Sequence, residues 1–275
     1  MNAPATLPVR RVALAGPTDF AGFRLAARLL LSHGVQPRRV AFEADGAQDL
    51  FGEAEPAALL AREAPGGRPP PRVPRAFLDE AGAAALHVEA GRYDLLYRLL
   101  WRLGDEPRLL ALASDPDVVR LAELAKAVRR DIHKMHAFVR FRRVEGEAEE
   151  TFVAWYEPDH HVVEAAAPFF AKRFAAMRWA ILTPRRRVSW DGERLAFAAG
   201  ADASQAPSDD ALEGLWRSYY GSVFNPARVN PDAMRAEMPK RFWRNLPEAA
   251  LMPDLIASAP RRPAEMIAAA PPRPA

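Results

Sequence analysis

The side chains best suited to chemistry in this sequence are cationic, aromatic or imidazole, and they gather in the second half of the chain. Asp131-Ile-His-Lys-Met-His-Ala-Phe-Val-Arg-Phe-Arg142 places His133, Lys134 and His136 at the end of a helical pattern, with Phe138, Arg140 and Arg142 just beyond it. Residues 128–143 hold six basic residues against Asp131 alone. Basic side chains neutralise phosphates and exposed rings stack on bases, so this stretch reads as a phosphate-tracking surface that Arg129 and Lys134 extend. The period-two pattern that begins at Phe138 puts Arg140 and Arg142 on its face, with Phe141 as a second ring able to stack. Cations near a helix C-terminus are also favoured by the helix dipole, which accounts for part of the cluster without any ligand.

A second stretch interleaves rings with polar and basic groups. Trp216-Arg-Ser-Tyr-Tyr-Gly-Ser-Val-Phe-Asn-Pro-Ala-Arg228 offers Tyr219, Tyr220, Asn225 and Arg228, and Met238-Pro-Lys-Arg-Phe-Trp-Arg-Asn245 offers Lys240, Arg241 and Arg244. These residue types make phosphate and base contacts. Trp243 reads as a core anchor of the same stretch. Arg185-Arg186-Arg187 lies between two strand patterns and reads as a solvated hairpin loop.

Enzyme chemistry is weakly supported. His133, His136 and His160 are the candidate acid–base groups, since cations nearby would lower an imidazole pKa toward a useful neutral base. His133 and His136 form H-x-x-H, but Lys134 opposes a cation there and no carboxylate stands at a diagnostic spacing, so neither a metal nor another cofactor is expected. Glu157 and Asp159 flank Pro158 ahead of a helix and read as caps. The sequence has no G-x-S-x-G and no P-loop, and the first turn has one glycine where a dinucleotide fingerprint needs three. With no Cys in 275 residues, disulfides, thiolate metal sites and Cys nucleophiles are excluded.

Composition is that of a globular protein, with 49% hydrophobic and 27% charged residues. The formal net charge is +3, and all of it lies beyond residue 128: residues 1–128 hold 16 basic and 16 acidic residues, residues 129–275 hold 22 and 19. No apolar run reaches the ~18 residues of a membrane span, and the first residues lack a signal-peptide core, so a cytoplasmic protein is expected.

The elements that must position these groups read as α+β. Arg10–Ala15 and Arg39–Glu43 are strand patterns around a helix that begins after an Asp19 cap and stops near Gly34, a small β-α-β portion. Residues 64–75 are a Pro/Gly-rich loop. Helices follow at Phe77–Ala90 and Tyr93–Leu103. A third begins at a Ser114 cap with a capping box to Asp117, and buries a stripe of Leu121, Leu124, Val128, Ile132 and Met135. From Phe138 the pattern turns to strands, with Thr151–Tyr156 as partner, a helix from Pro158-Asp159 to about Met177, then Trp179–Leu182, Arg187–Trp190 and Arg194–Ala198 around an Asp191-Gly192 turn. The expected fold is thus an antiparallel, ββαββ-like sheet packed by helices, with a helical middle and the β-α-β start. A helix through Leu212, Leu215, Trp216 and Tyr219 follows a polar loop. The expected domains are 1–75, 76–258, and a tail at 259–275 without core-forming periodicity.

The motifs DIHKMHAFVRFR, FVAWYEPDHH, PFFAKRFAAMRWAILTP, VSWDG and LWRSYYGSVFNPAR…MPKRFWRNLPEA, in this order, resemble a bacterial domain-of-unknown-function family linked to DNA repair or DNA metabolism. The resemblance runs from RVALAGPTDFAGFR to about Ile256. It implies an association with a radical S-adenosylmethionine protein of the photoproduct-lyase kind, and with a uracil-DNA glycosylase domain to which some members are fused. The cysteine-bearing glycosylase half has no counterpart here, so glycosylase activity is not implied. The expected function is a DNA-repair accessory protein binding DNA, a repair enzyme or both. Two alternatives are a nucleic-acid-processing enzyme using His133 and His136, and a protein-binding scaffold.

Overall fold

The computed structural model of the chain describes residues 9–44, 54–57, 66–67, 69, 71–144, 150–205, 243, 246, 249 and 251–258. By its internal contacts the chain divides into two units: Met1–His133 with Pro158–Val162, and Lys134–Glu157 with Val163–Ala275. Residue 75 falls inside the first unit.

In the first unit, β1 (Arg10–Ala13), α1 (Phe20–Ser32) and β2 (Val40–Glu43) form the expected β-α-β start. The helix carries the chain back to the end of the sheet where it began, so β1 and β2 run parallel; the two-residue β3 (Glu55–Pro56) joins the other side of β1. Asp19 caps α1, its Oδ1 accepting from the Gly22 N–H at 2.8 Å. The helix stops because Gly34 takes φ = 67°, open to a residue without Cβ. The Gly34 and Val35 N–H groups then donate to Leu31 and Leu30 carbonyls at 3.0 and 2.9 Å, closing a Schellman motif.

The next helix is shorter than its sequence pattern. α2 spans Arg75–Ala84, and the chain turns before α3 (Arg92–Leu103). Arg92 fixes that turn. Its side chain is buried and donates to the carbonyls of Ala85, Glu89 and Pro17 at 3.0, 2.9 and 2.6 Å, so those oxygens are satisfied without helix. The core beneath is aromatic: Phe23 meets Phe42 edge-on at 5.0 Å and Tyr93 at 5.1 Å. The hydroxyls of Tyr93 and Tyr97 donate to Pro17 and Val35 carbonyls.

α4 (Pro116–Phe138) buries the expected stripe: Leu121, Leu124, Val128 and Met135 are buried and Ile132 is half-buried. Its cap is Asp115 rather than Ser114, because the Asp115 carboxylate accepts from the Asp117 and Val118 N–H groups. Asp117 is turned instead to Arg98 and Arg102, at 2.8 and 3.2 Å. The helix also runs through Phe138, so the strand begins later than the alternation suggested.

The second unit carries a five-stranded sheet of order β4-β5-β6-β7-β8: β4 (Arg142–Val144), β5 (Thr151–Trp155), β6 (Arg178–Leu182), β7 (Arg186–Trp190) and β8 (Leu195–Ala199). The α+β class and chain order are as expected, but the sheet is not antiparallel throughout. β5 and β6 pair in parallel, because α5 (Val163–Arg173) lies between them as a crossover. α5 starts at Val163 rather than Asp159. The intervening N–H groups of His160 and His161 donate to the Asp131 carboxylate and the Leu86 carbonyl, both at 2.9 Å, which holds 159–162 out of a helical turn. The core between α5 and the sheet holds Phe170, Trp179, Ile181 and Val188, all buried. Gly192, at φ = 101°, makes the β7–β8 turn, with Asp191 Oδ1 accepting from the Glu193 and Arg194 N–H groups. Near the end of the chain are α6 (Met252–Ser258), buried Leu246 and Met252, and a half-buried Trp243. The expected helix through Leu212–Tyr219 and the tail from Ala259 lie outside the described residues. Among those residues, no helix is long and apolar enough to cross a membrane.

Candidate nucleic-acid interface

The register of the sheet decides which cations share a face. Arg142 pairs across to Val153, Val153 to Ala180, and Ala180 to Ser189. Cross-strand partners point to the same side and alternate residues share it. One face therefore carries Arg142 from β4, Thr151 and Trp155 from β5, Arg178 from β6, and Arg187 and Ser189 from β7. The other face packs on α5. There Arg186 pairs with Glu164 at 2.7 Å, and Trp190 Nε1 donates to the Ala175 carbonyl at 3.1 Å.

The face away from α5 has the composition of an anion-binding surface. Its strand residues include three arginines, two hydroxyls and one indole, with no carboxylate among them. Arg178, Arg187 and Ser189 are exposed; Arg142, Thr151 and Trp155 are half-buried. The Trp155 ring is oriented by its Nε1, which donates to Glu157 Oε1 at 2.8 Å. Sequence reasoning named Arg142 and missed Arg178. It read the charge of Arg185-Arg186-Arg187 as a solvated loop, although Arg187 was placed at the start of a strand; Arg186 and Arg187 begin β7, with side chains on opposite faces.

The remaining predicted contacts are distributed as follows. Arg140 sits past the end of α4 and donates to the Ala137 and Val139 carbonyls at 2.7 and 3.2 Å, satisfying helix C-terminal oxygens. Phe138 is the last residue of α4 and half-buried, so the strand alternation that grouped it with Arg140 and Arg142 does not apply. Phe141 belongs to a ring cluster with Phe174 and Trp179, at 5.3 and 5.6 Å, so it is a packing ring and not a stacking platform. Lys134 is half-buried on α4. Arg129 makes a two-pronged pair with Glu80, at 2.8 and 3.1 Å, which raises its pKa further and neutralises its charge locally. Tyr219, Tyr220, Asn225, Arg228, Lys240, Arg241 and Arg244 lie outside the described residues.

The imidazoles fall in different settings. His133 is exposed on α4. His136 stacks on Phe169 at 4.1 Å, its Nε2 3.4 Å from the Ala166 carbonyl. His160 stacks on His87, with ring centroids 4.1 Å apart. The Nδ1 atoms of His87 and His160 accept from the Glu89 and Val88 N–H groups at 3.0 and 3.4 Å. Burial lowers the His87 pKa, and Arg120 and Arg92 add to that while Glu89 opposes it. His87 was not found from sequence; only a contact spanning 73 positions identifies it. Among the described residues, no three His, Cys, Asp or Glu side chains gather to hold a metal ion.

Comparison with known proteins gives one relationship. No curated protein and no solved structure matches the chain. A family model matches residues 90–248, more than half of its length and the whole of the five-stranded sheet. The chain belongs to the family described as Domain of unknown function (DUF4130).

Proposed function

We propose that this chain is an accessory protein of DNA repair or DNA metabolism that binds DNA on the sheet face of its second unit. The observation that carries the reading is the set Arg142, Arg178 and Arg187 on one face, with Thr151 and Ser189 hydroxyls between them. Guanidinium groups neutralise phosphates, hydroxyls donate to phosphate oxygens, and Trp155 offers an indole where bases can stack. Phosphate binding of this kind requires no catalytic group. The resemblance to DNA-repair proteins supplies the protein partners: a radical S-adenosylmethionine enzyme, a uracil-DNA glycosylase domain, or both.

Fluorescence anisotropy with labelled single-stranded, duplex and uracil-containing oligonucleotides tests the reading. The wild-type chain is expected to bind with strong salt dependence, and the Arg142→Ala/Arg178→Ala/Arg187→Ala variant to lose most of that binding. Absence of wild-type binding at low salt would reject it and leave a protein-binding scaffold.

A further inference from the structure

The first unit contains a groove of about 250 Å³ along one side of α1. Its floor is apolar and buried, with Phe23, Phe77 and Leu100 at its base. Half-buried Phe20, Val73 and Leu78 form its walls. Arg24 and Arg28, one helical turn apart on α1, stand in its lining as its cationic edge.

These arginines differ from most of their neighbours. Elsewhere in the unit, Arg10 pairs with Glu55, Arg11 with Glu43, Arg102 with Asp115, Arg120 with Glu89 and Arg129 with Glu80. Arg24 and Arg28 are exposed, and no described carboxylate pairs with either. Arg72 and Arg75, beside the lining residues Pro71 and Val73 in the chain, are likewise exposed with no described carboxylate paired to them. α1 itself has no acidic residue. On α2, Asp79 and Glu80 act on Arg129.

The geometry points to this groove as a docking site for an acidic peptide segment of a partner protein, with a large apolar side chain seated on the floor and flanking carboxylates paired to Arg24 and Arg28. Its volume lies below the ~300–1,000 Å³ usual for cofactor or drug-sized ligands, which suits an anchoring side chain rather than a whole small molecule. The floor lined by Phe23, Phe77 and Leu100 presents aromatic and aliphatic carbon, so a nucleic-acid base placed there would lose its hydrogen bonds to water. An apolar anchor loses none. The charge of the rim selects the flanks, since like charges beside Arg24 and Arg28 would be repelled. The groove is built from other residues than the sheet face, and the inference stands whether or not that face binds DNA.

The test uses the full chain and a fluorescein-labelled peptide, DEDLFEDE, read by anisotropy. Two control peptides replace the central apolar pair by serines or all acidic residues by lysines. Saturable binding of DEDLFEDE is expected, weakened about tenfold or more for each control. The Arg24→Glu/Arg28→Glu variant changes only exposed side chains and is expected to weaken the peptide by at least about tenfold with an unchanged circular dichroism spectrum. Leu78→Ser, in the wall, is expected to weaken DEDLFEDE but not the weak residual binding of the serine control. Three results would overturn the inference: no saturable binding by the wild type, equal binding of the serine control, or equal binding by the charge-reversed variant. Duplex DNA that competes with the peptide and loses affinity in the Arg24→Glu/Arg28→Glu variant would also overturn it, by assigning the rim to phosphate instead.

Discussion

Replacing Arg142, Arg178 and Arg187 together by Ala should change the salt dependence of DNA binding, and the structure sets by how much. Adjacent strands lie ~4.8 Å apart, so arginines on β4, β6 and β7 span about 14 Å across the sheet. That distance covers roughly four phosphates at the ~3.4 Å axial rise per strand of duplex DNA. The three arginines are placed to neutralise phosphates, which gives a log–log slope near ~ −2.7 at about 0.9 per contact. Between 50 and 200 mM salt the wild type should lose affinity by about 40-fold, and the triple variant should show little salt dependence. Fluorescence anisotropy with a duplex at four salt concentrations measures both slopes. Arg178 and Arg187 are exposed and Arg142 is half-buried, so the substitutions should change stability little, within ~0.5 kcal/mol per exposed site. A variant that keeps the wild-type slope would refute the reasoning, because the phosphate contacts would then be made by other groups.

Other outcomes test the fold and its charges. Asp19→Ala removes the α1 cap and should destabilise the chain by ~1 kcal/mol, read as a shift in urea midpoint; Asp19→Asn should recover most of it. Phe170→Ala empties a position packed on Trp179 and Phe141 and should cost about 3–5 kcal/mol; a loss under 1 kcal/mol would show that the cluster collapses into the space. The His87 ring is held below its ordinary pKa of 6.5 by burial, so in mildly acid solution the unfolded chain binds more protons than the folded one. Stability should therefore be full above that pH and decline as pH falls through it. His87→Gln should flatten this part of the profile of melting temperature against pH, and an unchanged profile would remove His87 as its source.

How much of this was legible in the sequence follows from the range of the interactions involved. The start of α1 was readable because Asp19 and its N–H partner are three residues apart, and its end because Gly34 alone supplies the left-handed turn. The stripe of α4 was readable because helical period is local. What failed depended on distant groups. α2 ends early because Arg92 binds the carbonyls that follow it, and one of the three oxygens it reaches, on Pro17, is 75 residues away. The segment before α5 is held by Asp131 and Leu86. The parallel β5–β6 pair was inferable from the helix between the strands, but the alternating pattern alone does not state strand direction.

The candidate site was legible in part for the same reason. Arg142 stood out because it lies in a dense basic run, whereas Arg178 is isolated in sequence and reaches the same face only through the register Thr151↔Arg178. Arg187 looked like loop charge because a triple arginine carries no mark of which member points where. Its neighbour Arg186 turns to Glu164 on α5, and that pair separates the two.

The same residue type thus serves different ends according to what surrounds it. Arg92 is buried and consumed by three carbonyls, so it is structure. Arg129 and Arg120 face carboxylates, so their charge is cancelled where it stands. Arg187 shares its sheet face with hydroxyls and further guanidinium groups, the setting for phosphate. Arg24 and Arg28 edge an apolar floor, where water is poorly held and an anionic chain with a hydrophobic anchor gains on both counts. A net charge of +3 distinguishes none of these cases. The neighbours of each guanidinium do, and they divide these cations into scaffold, cancelled surface charge and the two proposed recognition sites.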